Sequence, residues 1–214
     1  MIVLNKKYVV LTILFVLPLV AYLFFASGVN NFAKLPVLKE NVLSISDYSN
    51  VEFKQKISIL FFLGSNIEDR QGDALNLNQK IYKRFYDFND FQFVVICPLG
   101  SEQLADDLKN KLEMGTNTDM KKWNFVFLDY NIVKDVFNSL STDDNLDQYS
   151  GSHYVYIVDK NRSLRGRNDD NGIKFGYDSR SVADINNFMV DDVKVILAEY
   201  RLALKKNGIT RKDL

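Results

Sequence analysis

The chain has 214 residues, with 27 Lys plus Arg against 27 Asp plus Glu, so it carries no formal net charge and no basic excess that would draw it to nucleic acid. A single cysteine excludes an intramolecular disulfide and a dithiol redox pair, and a single histidine excludes a histidine-rich metal site. No Gly-x-Ser-x-Gly elbow, HExxH helix or glycine-rich phosphate cradle occurs, so no catalytic constellation is recognisable and the chain is expected not to be an enzyme.

Lys6 and Lys7 precede VVLTILFVLPLVAYLFFAS, a run without charge, and the next basic residue is Lys34. Residues 8–27 are therefore predicted to form a transmembrane helix, because about 20 residues at a rise of about 1.5 Å cross a hydrocarbon core of about 30 Å. A spanning backbone must satisfy its own hydrogen bonds, which favours a continuous helix despite Pro18. The lysines before the run place the N-terminus in the cytoplasm and the rest outside, on the periplasmic or extracytoplasmic side of an inner membrane. Competing readings are a cleaved signal peptide, for which Ala26-Ser27-Gly28 would serve as the site, and a buried core helix. The predicted organisation is a cytoplasmic tip (1–7), the membrane helix (8–27), a linker and approach segment (28–50), one domain (51–206) and a charged tail (207–214).

Within the approach segment, Leu35-Pro36-Val37-Leu38 is a candidate first short strand. The run ISILFFL (57–63) is apolar, β-branched and aromatic, and bounded by Gly64-Ser65-Asn66, which predicts a buried strand. Leu75, Leu77, Ile81, Phe85 and Phe88 then fall at amphipathic spacing over 74–88, with Asp73 as candidate N-cap. FQFVVICP (91–98) reads as the second buried strand and encloses Cys97, whose thiol is expected to be protected by burial. A helix over 101–114 repeats Leu104, Leu108 and Leu112 and is expected to end at Gly115. WNFVFLD (123–129) is the third strand, 131–140 a short helix and 141–152 a polar loop. HYVYIVD (153–159) is a fourth strand, turned by Lys160-Asn161 into a fifth, SLRGRN (163–168). A stripe from Val182 through Ile185, Met189, Val193, Ile196 and Tyr200 to Leu204 predicts a long terminal helix.

Apolar strands alternating with helices imply parallel pairing with helices on both faces, and the late hairpin adds an antiparallel edge. The expected fold class is α/β: a central mixed sheet flanked by helices, in an order that matches the thioredoxin-like plan, preceded by the transmembrane helix. KISILFFLGSN followed much later by HYVYIVDKNRSLRGR resembles the SCO/SenC family of copper-binding cytochrome oxidase assembly proteins, with the likeness extending over roughly 35–205 and carried by those two stretches. That family holds copper through two cysteines of a CxxxC loop after the first core strand and a histidine before a late strand. The resemblance puts Ser65 and Asp69 where the cysteines would be and His153 where the histidine would be. Both thiolates are missing, and Cu(I) selects soft ligands. What remains for a metal is His153 with Asp69 or Glu68, a set suited at best to weak binding of a harder ion, so no cofactor is expected.

His153 has a plain structural alternative, hydrogen bonding at the start of its strand, because a histidine needs a nucleophile, acid or second ligand beside it to do chemistry. The loop Ser65, Asn66, Glu68, Asp69, Arg70 is a candidate recognition surface, since loops at the carboxyl ends of parallel strands are where this architecture binds. Arg162, Arg165 and Arg167 form a candidate basic cluster for an acidic partner or lipid headgroups, or charges that protect a sheet edge. Among the acidic pairs, Asn168 to Gly172 comes nearest to a calcium loop but lacks the later bidentate glutamate. The sequence predicts a redox-inactive domain related to the copper chaperones, held at the membrane through residues 8–27 and acting on a protein partner in the envelope, accessory to respiratory or envelope assembly. The alternative is metal handling through His153 and carboxylates.

Overall fold

The computed structural model describes residues 6–26, 34–170 and 172–206, and the chain divides into two compact units, Met1–Ala33 and Lys34–Leu214. In the first unit, α1 spans Lys6–Ala26 and runs unbroken through Pro18. At 1.5 Å per residue its length is about 31 Å, and apolar side chains such as Ile13, Leu14 and Phe15 stand exposed around it. It is the one helix among the described residues long and apolar enough to cross a membrane. It begins two residues before the predicted span, taking in Lys6 and Lys7. Residues 1–5, Ser27, the expected linker up to residue 33 and the tail 207–214 lie outside the described residues.

The second unit is built on a sheet in the order β1-β6-β5-β2-β3-β4, with β9 also on β5. Its strands are β1 (Val37–Lys39), β2 (Ile57–Phe62), β3 (Phe91–Pro98), β4 (Trp123–Leu128), β5 (Tyr154–Val158), β6 (Leu164–Arg165) and β9 (Tyr177–Asp178). β2, β3 and β4 are parallel, whereas β5 is antiparallel to β2 and β6 to β5. Every residue of β2 and β3 is buried, which is why both read as continuous apolar runs rather than alternating ones. Ile57, Ile59 and Phe61 point into one core layer with Leu77, Ile81, Val193 and Ile196. Leu60 and Phe62 point into the other with Val133, Val136, Phe53 and Ile45. Helices on both faces of a mixed sheet in this order give the thioredoxin-like fold.

After β2 a 3-10 turn, Glu68–Arg70, leads into α2 (Gln71–Leu77), a π-helical turn (Asn78–Tyr82) and α3 (Lys83–Phe85). The helix thus starts before Asp73, which is 5% exposed inside α2 rather than its N-cap. α4 (Glu102–Thr116) runs past Gly115 and closes at Asn117, whose φ of 51° supplies the left-handed residue and whose N–H donates to Glu113 O at 2.9 Å. α5 is Tyr130–Asn138. The fifth strand of the sequence reading is two short pieces, because the chain leaves the sheet at Gly166 and forms a separate hairpin, β7 (Arg167–Asp169) with β8 (Gly172–Lys174). A Cβ at Gly166 would lie 2.3 Å from Lys174 O. The terminal stripe is one continuous helical segment: α6 (Val182–Asp184), a π turn (Ile185–Met189) and α7 (Val190–Lys206).

Candidate functional site

The strand directions decide what meets at one end of the sheet. β2 delivers the loop from Leu63 to Arg70 there, and β5, running the opposite way, starts there. His153 and the polar loop before it therefore face the β2 loop.

The two loops are fastened to each other. Ser65 N–H donates to Tyr149 O at 2.9 Å, and Ser152 N–H donates to Phe62 O at 2.8 Å. Gly64 has φ +75°, and a Cβ there would come within 2.7 Å of Tyr149 O and 2.8 Å of Gly151 N, so only glycine allows this approach. Arg70, 2% exposed, reaches back to pair its Nη2 with Asp147 Oδ2 while Nη1 donates to Leu63 O at 3.4 Å. Asp147 Oδ1 accepts the N–H groups of Tyr149 at 2.8 Å and Gly151 at 2.9 Å. Burial pushes the Asp147 carboxyl up, but the Gly151 N–H, the Arg70 guanidinium and the Tyr149 N–H outweigh it and hold it below the usual carboxylate range. A Cβ on Gly151 would sit 2.5 Å from the guanidinium carbon. Arg70 is thus an internal clasp and not part of an exposed recognition loop; the burial of its guanidinium is matched by a carboxylate contributed from far along the chain.

His153 joins the same end. Its Nδ1 lies 2.6 Å from Asp73 Oδ2, with the histidine side chain 33% exposed and the aspartate 7%. The carboxylate oxygen accepts, so Nδ1–H is the donor of this pair. The His153 carbonyl accepts Ser179 N–H at 2.9 Å, which fixes the residue at the start of β5. An open pocket of about 330 Å³ lies beside it, lined by Arg70, Asn145, Asp147, His153, Tyr154 and Arg180. Arg180 donates Nε and Nη2 to the two oxygens of Asp178 at 2.9 and 2.8 Å, and that pairing holds the Asp178 carboxyl low. The cations at this mouth are already matched by carboxylates.

Among the other predicted residues, Ser65 and Asn66 are half-buried, Glu68 and Asp69 exposed. Asn66 Nδ2 donates to Asp69 Oδ2 at 2.6 Å. Among the described residues no group of three or more His, Cys, Asp or Glu side chains could hold a metal ion. The donors do not fit copper(I): Ser65 and Asp69 offer hard oxygens, and one oxygen of Asp69 already accepts from Asn66. Cys97 is fully buried in β3, and burial, with the Glu102 charge adding, pushes its thiol far up and away from the reactive thiolate.

The three arginines do not form an outward basic cluster. Arg165 is 3% exposed and bonded to Asp159, Glu199 and Leu35 O. Arg167 grips both oxygens of Asp192 at 2.7 and 2.8 Å with its guanidinium over the Phe188 ring. Arg162 sits at φ 61° in the turn before β6. Arg165 and Arg167 are thus held by carboxylates, while Arg162 is half-buried and its backbone N–H donates to Asp159 O at 3.0 Å.

The residues that sequence reasoning missed are Asp73 as the partner of His153, and Asp147 with Gly151 as the seat of Arg70. The Asp-x-Tyr-x-Gly spacing of an aspartate accepting N–H groups two and four residues on was the available signal for the second. Nothing local points to the first.

The sequence matches no protein-family model and no curated protein. Solved structures of similar arrangement include a SCO1/SenC family lipoprotein from Bacillus anthracis, 17% identical, covering 82% of this chain and 99% of its own, with a TM-score of 0.46. Apo Sco1 protein from Thermus thermophilus is 12% identical, covering 78% of this chain and 94% of its own, with a TM-score of 0.44. The thioredoxin domain of a thiol-disulfide oxidoreductase from Bacteroides vulgatus is 16% identical, covering 78% and 97%, with a TM-score of 0.42. The chemistry of this chain rests on its own residues.

Proposed function

We propose that this is a membrane-anchored, redox-inactive thioredoxin-like domain that acts through protein contacts in the envelope, accessory to respiratory or envelope assembly. The observation that carries the reading is the clasp at the carboxyl end of β2. Where the fold presents its functional loop, this chain has a buried arginine pinned between Asp147, Leu63 O and the Gly151 backbone, and its one thiol lies sealed in the neighbouring strand. A clasped loop pair is a rigid surface, suited to being recognised and unsuited to cycling. Exposed Glu68, Asp69 and Tyr149 form its outer contacts. Anchoring through α1 with the domain on the extracytoplasmic side is the reading supported by the apolar length of α1 and the lysines that precede the run.

A second reading, metal handling, draws on the His153–Asp73 pair, because a carboxylate behind a histidine is a common support for a metal-ligating imidazole. It has only one such ligand, which is why it ranks second.

Site-specific photo-crosslinking in native membranes tests the leading reading. Crosslinkers at Glu68 and Tyr149 are expected to give one discrete adduct, unchanged by Cys97→Ala, whereas a crosslinker at Lys54, at the amino end of β2, gives none. Equal labelling from both ends, or an adduct that depends on Cys97, would sink it.

A further inference from the structure

Three segments meet at the amino end of β2, opposite the clasp, and backbone bonds lace them together. Val42 N–H donates to Arg162 O at 2.8 Å and Gln55 N–H to Lys160 O at 2.9 Å. Asp159 Oδ1 accepts the Asn161 and Ser163 N–H groups at 2.8 and 2.9 Å, which closes the turn between β5 and β6. Gln55 and Arg162 hold left-handed backbone, at φ 62° and 61°, a conformation that is costly for residues with a Cβ and that gathers at functional sites. Between the segments lies an open cavity of about 530 Å³, lined by Ser44, Ser46, Glu52, Lys54, Asn161 and Arg162, with Lys160 on its wall.

The donors of this cavity are unspent. Arg70, Arg165 and Arg167, the other arginines withdrawn from solvent, each meet a carboxylate. Arg162 is half-buried, yet among the described residues its guanidinium makes no ion pair and no hydrogen bond. Lys54 and Glu52 likewise make no ion pair among the described residues, whereas Lys160 is held by Asp90. Ser44 Oγ and Ser46 Oγ lie 2.8 Å apart, so one hydroxyl hydrogen is spent between them and the other is left to donate. The unmatched side-chain charge is thus two cations against one carboxylate. A singly charged phosphate diester balances it, whereas the double charge of a monoester or of free phosphate exceeds it and meets Glu52. Guanidinium, ammonium and hydroxyl are the donors such a phosphate takes.

We propose that this cavity binds the phosphodiester of a lipid headgroup and seats the amino end of the sheet on a bilayer surface, an inference that rests on the reading of α1 as a membrane anchor. The path of the chain favours a lipid over a soluble diester. The domain begins at this end: Leu35 O accepts Arg165 Nε at 2.8 Å, and Lys34 lines a second cleft that shares Asn161 with the cavity. Residues 27–33 are all that separate that entry from α1. With the headgroup held here, the clasp at the other end of β2 is turned away from lipid and toward a partner.

Full-length protein in lipid discs, labelled with an amine-reactive acylating reagent, tests this. Flotation with the discs reads the anchor, and the acylation rate of Lys54 reads the cavity, with exposed Lys134 on α5 as internal standard. In discs of phosphatidylcholine, Lys54 is expected to react about tenfold more slowly than in discs of a phosphate-free galactolipid, both surfaces being neutral overall. Arg162→Gln is expected to remove that protection and Arg162→Lys to keep most of it, while Lys134 reacts alike throughout. Inorganic phosphate added to the galactolipid discs is expected to give no protection. Circular dichroism confirms that each variant is folded. A chain that floats with the discs but reacts equally in both lipids would overturn the headgroup site and leave the anchor standing; one that does not float would overturn both. Protection that survives Arg162→Gln, as mere closeness to a bilayer would give, or that free phosphate reproduces, would overturn the site as well.

Discussion

Arg165→Met is expected to lower the stability of the domain by about 3–5 kcal/mol, the largest single loss among the charged residues. Arg165 and Asp159 are both almost fully enclosed, at 4% and 2% side-chain exposure. The guanidinium donates Nη1 to Asp159 Oδ2 at 2.9 Å, Nε to Leu35 O at 2.8 Å and Nη2 to Glu199 Oε2 at 2.6 Å. Methionine fills most of the volume but supplies no donor. It leaves the Asp159 carboxylate in the interior without a cation, held by the Asn161 and Ser163 N–H groups on Oδ1, at 2.8 and 2.9 Å, and by the neighbouring Tyr200 hydroxyl. The cost comes from the stranded charge more than from the lost contact. Adding Asp159→Asn to Arg165→Met is therefore expected to recover part of the loss, about 1 kcal/mol or more. Urea unfolding of the two variants checks both numbers; a double variant no better than the single one would show that packing and not charge sets the penalty.

Asp147→Asn is expected to cost about 2–3 kcal/mol at neutral pH, less than a fully buried pair because the Asp147 side chain is 38% exposed and partly screened. With its oxygen kept on the Tyr149 and Gly151 N–H groups, the asparagine turns its NH₂ toward a guanidinium that is 3% exposed. Leu63 O at 3.4 Å is then the remaining acceptor for Arg70. The native carboxyl is held below the usual range, so it contributes stability that is complete above the ordinary carboxylate pKa and is lost as pH falls through its depressed folded value. The gap between native protein and variant is therefore wide at pH 7 and narrows as pH falls below the ordinary carboxylate range. Hydrogen exchange reads the local consequence: the Ser65 and Ser152 N–H groups, which join the two loops, exchange faster in the variant. Unchanged protection there would mean the clasp does not hold the loops.

The parts of the fold that were legible are those dictated by local pattern. ISILFFL, FQFVVICP and WNFVFLD are strands because uninterrupted apolar runs of that length fit a sheet covered on both faces. The terminal stripe is a helix because its spacing leaves no other way to bury Met189, Val193 and Ile196 together. Boundaries shifted where two residue types compete for one role, as when Asn117 took the left-handed position expected beside Gly115. The site was less legible because its logic is long-range. Arg70 and Arg165 look like surface charges until Asp147 and Asp159 are seen to enclose them, and Asp73 looks like a cap until His153 arrives from 80 residues away. Burial of a charge depends on a partner, and the partner is set by topology.

The claim that this end of the domain recognises a protein and does no metal chemistry is tested most directly by titrating the full-length protein in micelles with Cu(I), Cu(II) and Zn(II), alongside His153→Ala. No binding as tight as about 1 µM is expected for any of the three ions, with indistinguishable traces for the two proteins. Binding at micromolar strength or tighter that disappears in His153→Ala would contradict it and make the His153–Asp73 pair a metal support.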